Sequence, residues 1–155
     1  MNTSIHKINS ISIEEPIVLL GRHFTGDYFN SQKYVTEVQE QIQREKIEFT
    51  PYKVAGIFYD NPQEKKADEL RSFHAVFPTD KKSIGKSLLE KFELKGNFLQ
   101  VKVVGDPSKT IFEGYGALFN YIRENGVQLK SNAGFQISSF ENGQITTEIL
   151  MELSA

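Results

Sequence analysis

Apolar positions recur along the chain at two spacings, and the switch from one to the other marks out the elements. Tyr34, Val38 and Ile42 stand at i, i+4 and i+8 with Val35 beside them, while Glu37, Gln41 and Glu45 fall outside that stripe. This predicts a helix with one buried face, running from beyond Gly26-Asp27 to about Ile47. Ile111, Tyr115, Leu118 and Ile122 form the stripe of a second helix, widened by Phe112 and Phe119. Asp106 or Ser108 can cap its start and Gly126 can end it. The broader stripe predicts that this helix is the more deeply buried of the two. Period-two runs rich in β-branched and aromatic residues predict strands from Val18 to Gly26, Tyr52 to Asp60, Arg71 to Phe77, Phe98 to Val104, Phe135 to Phe140 and Ile145 to Leu153. Asn142-Gly143 between the last two is a hairpin signal. In the final strand Ile145, Thr147, Ile149, Met151 and Leu153 share the face expected to meet the helices, and Thr146, Glu148, Leu150 and Glu152 share the other.

These elements come in two sets. A strand ending in Gly26-Asp27 leads into the first helix, and a strand ending in Gly105-Asp106 leads into the second. The intervals Gly26–Ile47 and Gly105–Val127 are nearly equal, as are Gly26–Asn61 and Gly105–Asn142. The expected fold class is therefore α+β: duplicated β-α-β-β units, about residues 17–77 and 98–153, within one domain spanning 1–155. They should form a mainly antiparallel sheet with two helices on one face and a cleft near the pseudo-twofold axis. The polar stretch from Thr79 to Leu88 reads as a crossover, with a short additional strand at Leu88–Phe92. By alignment of the units, Ser72 falls where Glu148 stands in the second, and the strand aromatics Phe58-Tyr59 face a more polar stretch.

Composition narrows the chemistry. A chain of 155 residues with 39% hydrophobic and 25% charged residues has ordinary globular composition, and at this length roughly 70% of the unfolded surface is buried on folding. Cysteine is absent, which excludes disulfides and thiolate chemistry and fits a reducing compartment. The segment Met1–Lys7 lacks the pattern of a signal peptide and no run is long enough to span a membrane, so a cytoplasmic protein without membrane association is expected. A net charge of −2, with no basic helix, argues against direct nucleic-acid binding. His6, His23 and His74 show no metal-ligand spacing, so neither a metal nor a cofactor is expected. There is no Gly-x-Ser-x-Gly elbow, and Gly105 to Thr110 lacks the frame of a phosphate loop and reads as a helix cap.

Glu148 sits mid-strand between apolar neighbours. In a cleft, desolvation would raise its pKa and let it bind a cation or act as a general base; on an open sheet face it would be a solvated glutamate beside a cross-strand lysine. Phe58 and Tyr59 point to opposite faces. Tyr59 offers a stacking surface and a hydroxyl, and Tyr28, Tyr115 and Phe119 could wall the same cavity or serve as core. Asp60 and Arg71 read as a bidentate pair across a loop.

Gly56-Ile57-Phe58-Tyr59-Asp60-Asn61-Pro62, followed by Glu69-Leu70-Arg71-Ser72, closely resembles the signature of GyrI-like small-molecule-binding domains. Thr147-Glu148-Ile149-Leu150 resembles the start of that family's last strand, and Gly26-Asp27-Tyr28 its lead into the first helix. The resemblance spans roughly residues 17–153. It implies a stand-alone binding domain of the kind that serves as the effector-binding part of multidrug-responsive AraC- and MerR-type regulators. Such a domain captures an apolar, aromatic or cationic compound in a cleft with a buried glutamate, here lined by Glu148, Tyr59, Phe58, Tyr115, Phe119 and Tyr28. The family also implies two alternatives: a hydrolase of strained, cyclopropanoid-type electrophiles with Glu148 as the catalytic residue, and a protein-interaction module of the gyrase-inhibitor type. Where relatives often carry an acid and a phenol before the last hairpin, this chain has Phe135-Gln136-Ile137-Ser138, and Glu152 replaces a usual proline. Glu148 is thus the principal carboxylate carried over.

Overall fold

A computed structural model describes residues 6–154; Met1 to Ile5, read above for a leader sequence, lie outside them. The elements are β1 (Ile8–Thr25), α1 (Ser31–Arg44), β2 (Phe49–Phe58), β3 (Arg71–Pro78), β4 (Glu90–Val104), α2 (Pro107–Asn125), β5 (Leu129–Glu141) and β6 (Gln144–Leu153). Their order reads β-α-β-β twice. All neighbouring strands are antiparallel.

The expected open sheet is closed. Its strands run β1-β3-β2-β5-β6-β4, and β4 returns to β1 to complete a six-stranded barrel. Closure depends on two strands longer than the hydrophobic runs suggest. β1 begins at Ile8 and pairs its first residues, Ile8 to Ile13, with Val101 to Gly96. A register shift between Ile13 and Ile17 then lets it turn along the rest of β4, the bend and added twist a bulge supplies. The expected separate strand at Leu88–Phe92 is instead the start of β4, which continues through Gly96.

One face of every strand points into the barrel, where Leu19, Ile57, Phe73, Phe98, Phe135 and Leu150 belong to one buried cluster. The Phe98 and Phe135 rings meet edge to face with centroids 5.5 Å apart. The lumen is thus a packed core. The other face carries the helices. Val38 and Ile42 of α1 pack on Leu20 and Val76, and Leu118 of α2 packs on Leu99, Val101, Ile149 and Met151. Contrary to the expectation from its stripe, α2 is not the deeper helix. Phe112 is 82% and Phe119 46% exposed, whereas Tyr34, Val38 and Ile42 are all buried. The aliphatic part of the α2 stripe meets the sheet, and the two aromatics that widen it stand partly or wholly clear.

Both Gly-Asp pairs act as caps: Asp27 accepts from the Phe29 N–H at 2.9 Å and Asp106 from the Ser108 N–H at 3.0 Å. Asn142 and Gly143 have φ of 52° and 77°, the left-handed pair required by a two-residue hairpin turn. Among the described residues no helix is long and apolar enough to cross a membrane.

Candidate functional site

The helices divide the outer surface of the barrel. α1 lies chiefly on β3 and β1, and α2 chiefly on β4 and β6. Since β2 and β5 are paired at the centre of the strand order, the helix-facing side of that pair is left as a trough between the helices. Its floor alternates Gly56 and Phe58 on β2 with Gly134 and Gln136 on β5, in direct register. Glycine there is a matter of space: a side chain at Gly134 would start 2.1 Å from the Tyr115 hydroxyl, and one at Gly56 would start 2.8 Å from the Phe58 ring.

Aromatic side chains from both units converge on this floor. Tyr115 leans from α2 across Gly134 and accepts a hydrogen bond from the Gln136 amide at 2.9 Å, while Phe119 stacks beside it with centroids 6.1 Å apart. From the other side Tyr28 meets Phe58 edge to face at 5.0 Å. The Tyr28 hydroxyl donates to the Arg71 carbonyl at 2.7 Å and accepts from the Asp60 N–H at 3.1 Å, which fixes the ring. Burial pushes the Tyr115 phenol up to about 12, partly offset by Gln136, and Tyr28 is near enough to add to the shift. Burial likewise raises Tyr28. Both phenols are therefore neutral in the physiological range and act as apolar rings with one polar tip.

Of the six residues expected to line one cleft, Tyr28, Phe58, Tyr115 and Phe119 meet at the trough. Tyr59 and Glu148 do not. Strand alternation turns Tyr59 away from Phe58, toward the barrel core and the rings at its mouth. Glu148 alternates with the helix-facing Thr147 and Ile149, so it lies on the lumen side. It is half-buried, accepts a short hydrogen bond from the Gln100 amide, and has Ile137 and Lys102 as register partners. Ile137 also pairs with Ala55, four positions before Tyr59, so Tyr59 and Glu148 occupy opposite ends of the barrel, about 13 Å apart along the strand direction alone. The expected match of Ser72 to Glu148 also fails on facing. Ser72 is fully buried on the α1 side, hydrogen-bonded to His74 at 3.0 Å. The buried hydroxyl on the equivalent face of β6 is Thr147, 3.1 Å from Ser138.

The signature loop is held as the sequence suggested. Arg71 donates Nε and Nη2 to the two Asp60 oxygens at 3.0 and 2.8 Å, and Lys65 approaches the same carboxylate at 3.1 Å. The Arg71 guanidinium, above all, holds the Asp60 carboxyl far below the usual range. Beyond this pair a depression of about 340 Å³ opens at the barrel mouth, lined by His23, Phe24, Thr25, Tyr59 and Arg71. His23 bridges Glu90 at 2.7 Å and the Tyr59 hydroxyl at 3.3 Å. Sequence reasoning passed over His23 because its acidic partner is on β4, and only barrel closure brings Glu90 opposite Gly21.

Among solved structures, the C-terminal domain of EcmrR superposes with a TM-score of 0.74 at 13% identity, covering 97% of this chain and 99% of that one. An uncharacterized conserved protein from Listeria innocua gives 0.66 at 13% identity, covering 98% and 94%. An integron cassette protein from the mobile metagenome of Vibrio cholerae gives 0.59 at 12% identity, covering 99% and 100%. At these identities the likeness establishes the fold. No curated protein matches the chain. The family model described as the GyrI-like small molecule binding domain matches residues 11–153. With that match spanning nearly the whole chain, from the closing half of β1 to the end of β6, the protein belongs to the GyrI-like small-molecule-binding domain family.

Proposed function

We propose that the trough between α1 and α2 is the small-molecule site, and that its ligand is a flat, largely apolar compound clamped between the Tyr28–Phe58 pair and the Tyr115–Phe119 pair. The observation that carries this reading is the convergence of those four aromatics over a floor containing Gly56 and Gly134. An aromatic wall rewards planar ligands through burial and offset or edge-to-face contact. It also accepts a delocalised cation through its ring faces, without a carboxylate in contact. Glu148, which a hydrolytic reading would use to activate water, lies on the opposite face of the sheet and is bonded to Gln100. That separation favours capture over turnover.

The test is fluorescence titration with acridine orange, a planar cationic dye. Phe119→Ala removes a half-exposed ring with little burden on folding and is expected to weaken binding about tenfold, the value of one aromatic contact plus its buried area. Glu148→Gln should leave the affinity within a factor of about two, the ordinary reach of a distant substitution. The reading fails if Glu148→Gln abolishes binding while Phe119→Ala does not.

A further inference from the structure

Away from the trough floor, where the end of β1, the start of β3 and the residue after β2 meet, His23, Phe24, Thr25, Tyr59 and Arg71 line the depression at the barrel mouth. Three features there go together. First, the Tyr59 and His23 rings stack with centroids 5.9 Å apart and an interplanar angle of 23°, giving a flat apolar wall; the Arg71 guanidinium lies 6.0 Å from the centroid of the same Tyr59 ring. Second, Asp60 is approached by two cations, Arg71 and Lys65, which leaves one positive charge in excess on the Arg71 side of the mouth, while the carboxylate on the other side, Glu90, is engaged by His23. Asp60 occupies only Nε and Nη2 of the guanidinium, leaving Nη1 as a donor. Third, His23 holds Glu90 through Nδ1 and faces Tyr59 through Nε2. These contacts hold the Tyr59 hydroxyl at the rim, where it can donate to a ligand.

We propose that this mouth is a second ligand site, for a small carboxylic acid with a flat body. Its carboxylate is taken by Arg71 Nη1 and the Tyr59 hydroxyl, and its body lies on the Tyr59 and His23 rings. A planar carboxylate fits because guanidinium and phenol donate in directions that converge on a flat acceptor. The groups around the His23 ring are Glu90 from β4, Phe73 from β3 and Tyr59 after β2.

The site is tested with benzoate as the probe and benzyl alcohol as its neutral counterpart, followed by amide and aromatic NMR shifts of the whole chain. Benzoate is expected to shift Thr25, Tyr59 and Arg71 saturably and to bind about tenfold tighter than benzyl alcohol, the value of a charge-assisted hydrogen bond. Tyr59→Phe should weaken binding without removing it. Phe119→Ala should leave benzoate binding unchanged, so this site and the trough succeed or fail separately. The proposal is overturned if benzoate leaves these residues unshifted or if benzyl alcohol binds equally well.

Discussion

The two helices sit on the same barrel in corresponding places, yet the layers beneath them are built from different materials. Under α1, His74 is buried between aromatic rings: Tyr34 at 5.4 Å, Phe58 at 5.5 Å and Phe24 at 5.8 Å, with Phe24 stacked on Tyr34 at 4.3 Å. Its one polar partner there is Ser72. Under α2, Gly114 and Leu118 press onto Val101, Val103, Ile149 and Met151. The first layer adds, beside its aliphatic contacts of Val38 and Ile42 with Leu20 and Val76, an aromatic half that contains a titratable group. The second is aliphatic and closely fitted. The difference teaches that one architecture supports two kinds of layer, and that the trough draws Phe58 from the aromatic layer on one side and Tyr115 from the edge of the aliphatic layer on the other.

The comparison is broken most severely by opening the aliphatic layer. Leu118→Ala removes a fully buried side chain from the centre of the α2 contact and should cost about 2–5 kcal/mol, read as a lower urea midpoint with unchanged slope. The aromatic layer has its own signature, in pH. Burial drops the His74 pKa to about 4, below its unfolded value of about 6.5. The unfolded chain therefore takes up a proton between those two values while the folded chain does not, and stability falls as pH decreases through that window. The full loss is on the order of 3 kcal/mol. Urea unfolding at about pH 7 and about pH 4.5 should show most of it, and His74→Leu should flatten the slope across the imidazole range.

The smallest effects separate fit from propensity on a single helix. A Cβ at Gly114 would fall 2.6 Å from the Ile149 Cδ1 atom and 3.2 Å from Val103, whereas nothing lies within 4 Å of one at Gly116. Gly116→Ala should stabilise the protein by roughly 0.5–1 kcal/mol through helix propensity alone. Gly114→Ala should lose that gain to crowding and come out destabilised by about 1 kcal/mol. Thermal melts of the two variants should move in opposite directions.

The sequence carried the local part of the fold well. Tyr34, Val38 and Ile42 announced α1 by spacing, Asp106 announced the cap of α2, and Asn142-Gly143 announced the last hairpin. Closure was hidden because it depends on pairing Ile8–Ile13 with Gly96–Val101, a long-range match between a polar-interrupted stretch and one half of a long strand. The site was legible to the same degree. Alternation correctly set Phe58 against Tyr59, and Glu148 against the helix-facing residues of β6. What those other faces became depended on closure: the expected open side of the sheet is the packed lumen, and Glu148 went with it. Gly56 and Gly134 carried no signal of a floor, because their importance lies in the Phe58 and Tyr115 rings that cross them.

The central claim is that ligand sits between the helices, over the β2–β5 seam and outside the barrel. Its most direct test is a residue-by-residue NMR map of the chain titrated with acridine orange. The account predicts saturable shifts at Gly56, Phe58, Gly134, Gln136 and the Tyr115–Phe119 stretch of α2, with Gln100, Lys102 and Glu148 unmoved. Shifts centred on Glu148 and Gln100, with the seam glycines and α2 unmoved, would contradict it.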